Sequence, residues 1–437
     1  MTLNTATQTN PRGHLTFGQG TAMYVGAVLG TGVIALPALA AGAAGPASLL
    51  AWLALVIMSV PLAATFAALG ARHPDAGGVS TYARLAFGER AAAMVGWCFY
   101  FAIPPGAPAA ALFGGAYVAA AAGGGTATTF ATAAGLMAVV TVTNMAGVRV
   151  SGKLQLILAA LLVTLLLVSV VLSLPGARWG NLTPFAPHGW TAIGSAAALL
   201  VWSFAGWEAI THLAAEFRRP DRDLPRATAA AVVVVGVLYL LVAFAIITVL
   251  GPAAATQDAP LGELMAQGLG GGARWPAAVA ALLLTMGTMN AYYASAAKLG
   301  AALGRDGALP SWLARGSVAG QVPRRSLATA SALSFAALAV VAVTGLGPEP
   351  LVLLTTGSFV TVYAIGVAAA IRLLPRRTLA RASAFAALFA VAALLLMTGR
   401  YLIWPAAMTA AALTYLHVRT RAAPPTPEPT EKHLTPS

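Results

Sequence analysis

The sequence predicts an all-α polytopic membrane protein, and three observations carry that prediction. Hydrophobic residues fill 59% of the 437 positions and charged residues only 8%, where a soluble globular domain has about 25% charged residues. Apolar runs of about 20 residues, the length that crosses a bilayer core of roughly 30 Å, recur along the chain. The 25 Lys and Arg residues fall almost wholly in alternate connections between those runs. So few charges cannot cover a water-soluble surface, which excludes a soluble enzyme and a disordered chain. The formal net charge of +13 invites a nucleic-acid partner, but the basic residues are scattered between apolar runs rather than gathered in one patch, so none is expected. Cys98 is the one cysteine; it excludes a disulfide framework and a cysteine-based metal site. No metal and no cofactor are expected.

Capping residues and Gly or Pro breaks delimit twelve runs: 18–42, 46–70, 90–120, 126–146, 152–174, 190–214, 227–251, 274–301, 326–346, 350–373, 382–398 and 401–418. They lack the alternation of barrel strands, and Ala229 to Leu250 is apolar on every face, so they read as helices. The third run must kink at Pro104-Pro105-Gly106, where two prolines remove amide donors; the kink shapes either the pocket or only the bundle. An even number of spans puts both termini on one side. With that side cytoplasmic, 22 of the 25 basic residues lie inside and only Arg178, Arg274 and Arg400 lie outside, as the positive-inside rule requires. The first apolar run is a full span with no cleavage site before it, so no signal peptide is expected.

The chain therefore divides into a cytoplasmic N-terminal segment (1–17), a first set of five helices (18–174), a second set of five (175–373), helices eleven and twelve (374–418) and a tail (419–437). The tail is rich in Pro and Thr, has no apolar periodicity, and reads as disordered and cytoplasmic.

Residues that weaken a helix inside the bilayer are expensive and therefore informative. Span one reads Gly26-Ala27-Val28-Leu29-Gly30-Thr31-Gly32-Val33, and span six reads Val201-Trp202-Ser203-Phe204-Ala205-Gly206-Trp207-Glu208. Each is the first helix of its set of five. Matching interruptions in two halves point to an inverted-repeat transporter with a substrate site at the bilayer midplane. The outer half of span one would start near Thr31 to Val33 and offer free amides to a carboxylate. The inner half of span one, ending near Val28, and the outer half of span six, ending near Ser203, would offer carbonyls to an ammonium group. Together they suit a zwitterion, that is, an α-amino acid. The alternative is that Gly30 and Gly32 only permit close helix packing.

Glu208 is the one carboxylate inside a span; the other eleven lie in loops, at span ends or in the tail. Burial favours its neutral form and a helix N-terminus favours its charged form, a balance that suits proton exchange near neutral pH. Its structural alternative is a hydrogen bond that holds the break open. His212 follows four residues later on the same face and is a candidate proton relay. Trp202, Phe204 and Trp207 are candidate walls or gates, Trp97, Tyr100 and Tyr292 candidate lining, and Asn290 a candidate contact to substrate or to a helix break. Lys153 and Lys298 lie near span ends, where snorkelling accounts for them.

The break Gly30-Thr31-Gly32-Val33, the segment Ser203 to Glu208, the loop His73-Pro74-Asp75-Ala76-Gly77-Gly78 and the loop Glu216 to Arg226 resemble the amino acid–polyamine–organocation (APC) superfamily of transporters. Within it, Leu29 to Val33 with Leu36 to Ala41, and Trp207 to Phe217, look like the bacterial exporters of methionine and branched-chain amino acids. The likeness covers spans one to eight well and the last four mainly by hydropathy. It implies a leucine-transporter-like five-plus-five inverted repeat with two further C-terminal spans. It also implies carboxylate contacts at Thr31 and Gly32, a gating aromatic at Trp202 or Phe204, and proton sensing at Glu208. One departure stands out: many proton-coupled relatives carry a lysine in span five, where Ile157 to Leu167 has no charge.

The expected function is secondary active transport of neutral apolar amino acids (methionine, leucine, isoleucine, valine) across a bacterial inner membrane, with protons as coupling ion and export as the direction. Near-absence of charge in the spans argues against charged substrates, which need a partner in a dry pocket. Import or exchange by the same machinery, or amino acid sensing without transport, are the alternatives. An intramembrane enzyme is not expected: only His212 lies near a carboxylate inside a span, and neither HExxH nor GxSxG occurs.

Overall fold

The computed structural model describes residues 15–74, 78–147, 152–208, 214, 217–315 and 322–422. Among them the chain is helical almost throughout, and nine stretches are long and apolar enough to cross a membrane. The N-terminal segment before Leu15, the loop residues 75–77, His212 and the tail from 423 lie outside the described residues.

Span one is two helices, α1 (Phe17–Leu29) and α2 (Gly32–Ala44). Thr16 starts α1 with a capping box: its side-chain oxygen accepts from the Gln19 amide, and the Gln19 side chain accepts from the Thr16 amide at 3.0 Å. A 3₁₀ turn (Gly45–Ala47) leads into α3 (Ser48–Arg72), which is span two. A short amphipathic helix α4 (Val79–Phe87) follows, which the run-length reading leaves in a loop because it is far too short to span. Span three is also two helices, α5 (Glu89–Tyr100) and α6 (Ile103–Ala122). The division falls at Phe101–Ala102, one turn before the prolines, because Pro104 and Pro105 withhold the amides that the carbonyls four residues earlier would accept.

Helices α7 (Thr126–Met145) and α8 (Gly152–Ser173) complete the first five spans. Span six begins with α9 (Ala192–Leu200), tightens into a 3₁₀ turn (Val201–Phe204), and then leaves helical geometry altogether: Ala205 is extended and Gly206 has φ 125°. Then come α10 (Pro220–Leu250), a short helix α11 (Pro260–Leu269) that the hydropathy reading passes over, α12 (Arg274–Asp306), α13 (Arg324–Thr344), α14 (Glu349–Leu373), α15 (Leu379–Thr398) and α16 (Ile403–Ala422). At 31 and 33 residues, α10 and α12 overrun the bilayer thickness at about 1.5 Å per residue.

In the interior, α3 packs on α10, α6 on α7 and α12, α2 on α9, and α14 against α3, α5 and α6. The outer faces are greasy: Phe389 is 77% exposed, Leu396 84% and Val343 88%. Exposed apolar surface on this scale is a liability in water and ordinary in lipid. The molecule is a multi-pass membrane protein.

Candidate functional site

The two helix breaks meet beside a cavity that both of them line. Its walls come from the α1/α2 break (Ala27, Val28, Gly30, Thr31, Gly32), the span-six turn (Trp202, Ala205), α6, α12 and α14. No charged side chain lines it among the described residues.

One corner is polar. Thr31 is the N-cap of α2, yet its side chain makes no capping bond, and its buried Oγ1 has no partner among the described residues. The opening amides of α2 lack intrahelical acceptors and point their partial positive charge toward this corner. The Thr288 hydroxyl of α12 faces the same place, 3.7 Å from where a methyl on Gly30 would stand. Donors of this kind at a helix N-terminus suit an anion such as a carboxylate.

The rest of the wall is mostly apolar, with the hydroxyl-bearing Tyr292, Tyr293 and Thr355 among its residues. Ala102, the N-cap of α6, and Gly106 and Ala110 within it lie at four-residue intervals, opposite Met289 and Tyr292 of α12 and Phe359 of α14. Thr355 turns its hydroxyl back to the Leu351 carbonyl at 2.9 Å and its methyl toward Gly106, where an added Cβ would sit 3.3 Å from that methyl and 3.6 Å from the Trp202 ring. Trp202 meets Phe113 edge-on, with ring centroids 6.4 Å apart.

The breaks are held by specific contacts. Gly32 lies so close to Ser203 that an added Cβ would fall 2.9 Å from the Ser203 Cα; glycine is what lets the two interrupted helices touch. The packing role weighed for Gly32 in the sequence thus operates beside its place in the polar corner. The Tyr239 hydroxyl of α10 meets the Val28 carbonyl at 2.7 Å and the Ser203 carbonyl at 2.6 Å. Those two carbonyls, read from sequence as open to an ammonium group, already share one phenolic proton. The Ser203 Oγ is buried without a partner among the described residues and does not line the cavity.

Phe204 turns away as well, onto Trp52 and Tyr239 at centroid distances of 6.0 and 5.1 Å, so of the two candidate gating aromatics Trp202 is the one on the cavity. Asn290 accepts from the Asn144 amide of α7 at 2.7 Å. It sits about 200° around α12 from Thr288 at 3.6 residues per turn, facing a neighbouring helix. Trp97 and Tyr100 are likewise occupied elsewhere, donating to the Ala308 carbonyl at 2.7 Å and the Ser326 carbonyl at 2.9 Å.

Glu208 is 1% exposed and lies behind the cavity wall. Its Oε2 accepts from the Gly206 amide at 3.0 Å and from the Tyr363 hydroxyl of α14, and the same amide approaches the Tyr363 oxygen at 3.2 Å. The carboxyl therefore holds the unwound backbone directly beside Ala205, which does line the cavity. The proposed relay His212 lies outside the described residues.

Reading the sequence for breaks finds Val28, Gly30, Thr31, Gly32 and Trp202, and names Gly106 at the kink and Tyr292 as lining, all on the cavity, but misses Thr288, Met289, Thr355 and Phe359. These sit in unbroken helices and look like any packing residue.

A family model described as amino acid permease matches residues 15–430. The uncharacterized amino acid permease YecA of Bacillus subtilis is 33% identical over 93% of this chain and 96% of its own length. The L-methionine/branched-chain amino acid exporter YjeH of Escherichia coli is 31% identical over 82% of this chain and 86% of its own, and a probable GABA permease of Pseudomonas aeruginosa is 28% identical over 52% and 51%. These relatives carry transporter names, and the breaks and cavity fit them: the chain belongs to the amino acid permease family of the APC superfamily.

Proposed function

We propose that this permease moves neutral apolar α-amino acids by alternating access, with export coupled to inward proton flow. The observation that carries the reading is the cavity's two-part chemistry: one corner of helix-end amides and threonine hydroxyls, and walls of alanine, glycine, methionine and aromatic side chains. The substrate carboxylate sits at Thr31, Gly32 and Thr288. Because Tyr239 occupies the Val28 and Ser203 carbonyls, the ammonium group turns to the carbonyls of Ala27 and Ala205, both on the cavity. The side chain points to Gly106, Thr355 and Phe359, where nothing charged stands among the described residues to pair with a cationic or acidic one. Export of methionine and branched-chain substrates follows the YjeH likeness.

Glu208 is the coupling group in this reading. Ionised, it accepts both the Gly206 amide and the Tyr363 hydroxyl; protonated, it gives up acceptor capacity and loosens the backbone beside the substrate. Twelve spans arranged as a five-plus-five repeat are supported by the way matching helices pair: span one with six (α2 on α9), two with seven (α3 on α10), three with eight (α6 on α12) and four with nine (α7 on α13).

Counterflow in proteoliposomes tests this. Vesicles preloaded with each unlabelled amino acid are offered labelled leucine or methionine, with and without a pH gradient, for the wild type and Glu208→Gln. Apolar amino acids should exchange, and the gradient should drive net flux in the wild type only. Exchange that ignores pH and survives Glu208→Gln would remove the coupling role. No exchange of any amino acid by folded protein would overturn the substrate assignment and favour the sensor.

A further inference from the structure

The turn joining α14 to α15 presents Arg372, Arg376, Arg377 and Arg381 within ten residues, and no step of the proposed transport uses them. The first three are exposed and Arg381 is half-buried. Among the described residues no carboxylate lies within pairing distance of these four guanidinium groups. The turn is well fixed. The Thr378 side-chain oxygen accepts from the Arg381 amide at 3.3 Å, its O–H donates to the Pro375 carbonyl at 2.9 Å, and Arg377 holds a left-handed φ of 63°, which non-glycine residues rarely adopt.

Apolar side chains stand open among these cations. Leu379 is 89% exposed, Phe385 45% and Phe87 of α4 44%. The Arg381 guanidinium lies 5.9 Å from the Phe385 ring centroid and that of Arg372 lies 5.6 Å from the Phe87 centroid. The positive-inside rule accounts for arginines at the end of a span, but it does not call for a leucine left bare in their midst. A layer with phosphates above acyl chains satisfies both at once, and α14 and α15 both cross the membrane, so their turn lies in that layer.

We propose that this turn, with Phe87, is a seat for an anionic phospholipid of the bilayer. The guanidinium groups grip the headgroup phosphate through forked hydrogen bonds, and Leu379 with the two rings enters the acyl boundary. The site is separate from the cavity, and its existence does not depend on which solute the protein moves.

Native mass spectrometry of the full-length protein in detergent tests the seat. It is titrated with phosphatidylglycerol or phosphatidylcholine of matched chains, with inorganic phosphate as the soluble competitor. Wild type should bind phosphatidylglycerol at least about tenfold more tightly than phosphatidylcholine. Each arginine near an anionic surface contributes about fivefold, so Arg376→Gln/Arg377→Gln/Arg381→Gln should lose up to roughly a hundredfold for phosphatidylglycerol and less for phosphatidylcholine, whose own ammonium already offsets its phosphate, and the preference between the two should collapse. Leu379→Ser should weaken both lipids, while Arg324→Gln/Arg325→Gln should keep the preference. Equal binding of the two lipids by wild type, a preference that survives the triple substitution, or an equal loss from the Arg324/Arg325 pair would overturn the proposal. So would displacement of phosphatidylglycerol by matching concentrations of inorganic phosphate, which would mark a site for soluble anions.

Discussion

Replacing Gly106 by alanine should change which amino acids this protein handles rather than whether it folds. The new methyl would stand 3.3 Å from the Thr355 methyl, 3.4 Å from its hydroxyl and 3.6 Å from the Trp202 ring, so Thr355 has to give by a few tenths of an ångström and the cavity is reduced. The lost room is about one methylene at the wall where the substrate side chain is placed. A methylene's difference in an apolar pocket amounts to about 1–3 kcal/mol, or roughly 10–200-fold in discrimination. In counterflow, leucine and methionine should therefore lose at least about tenfold in apparent affinity relative to alanine, with alanine exchange close to wild type. Retained alanine exchange also certifies the fold. Leucine and alanine falling together would show that Gly106 serves packing only. An unchanged ratio would place the substrate side chain elsewhere in the cavity and refute the orientation argued above.

Other expectations follow from the same contacts. Tyr239→Phe strips the donor from two buried carbonyls, and leaving such groups unsatisfied costs about 1–3 kcal/mol; thermal unfolding in detergent should start several degrees lower, and an unchanged transition would deny the bridge its stabilising role. Gly32→Ala forces a methyl into Ser203, an overpacking of about 1–3 kcal/mol at the centre of the mechanism, so exchange should fall even where the protein is still recovered folded. Tyr363→Phe removes one donor from Glu208 but leaves the carboxyl titratable; the pH dependence of net flux should move without vanishing, unlike Glu208→Gln, and identical profiles for wild type and Tyr363→Phe would exclude the coupling through α14. Asn290→Ala breaks an interhelical amide bond rather than a cavity contact, so it should cost about 1 kcal/mol of stability with substrate affinity unchanged, which a paired melting and counterflow measurement decides.

Taken alone, the sequence determined the solvent this protein lives in, the helical content and the places where helices fail. Each of these is a local property. Charge scarcity and run length fix the membrane environment, and Gly30-Thr31-Gly32 or Pro104-Pro105 weakens hydrogen bonds within its own turn. The family followed from the same local signatures at the breaks. Short elements escaped for the converse reason: α4 and α11 are amphipathic and brief, with no span-length signal.

Only the tertiary structure decided who faces the cavity. Thr288 and Asn290 are two residues apart on an unbroken helix, and the polar one that looked more suggestive turns its amide to Asn144 because about 200° of helix rotation separates the two. Trp202 and Phe204 differ in the same way across a 3₁₀ turn. The fate of the Val28 and Ser203 carbonyls was also out of reach, since the phenol that meets them comes from Tyr239, more than thirty residues beyond Ser203 and on another helix. Helix phase and long-range partners depend on how the bundle closes, and a bundle whose helices are apolar on every face does not write that closure into its hydrophobic pattern.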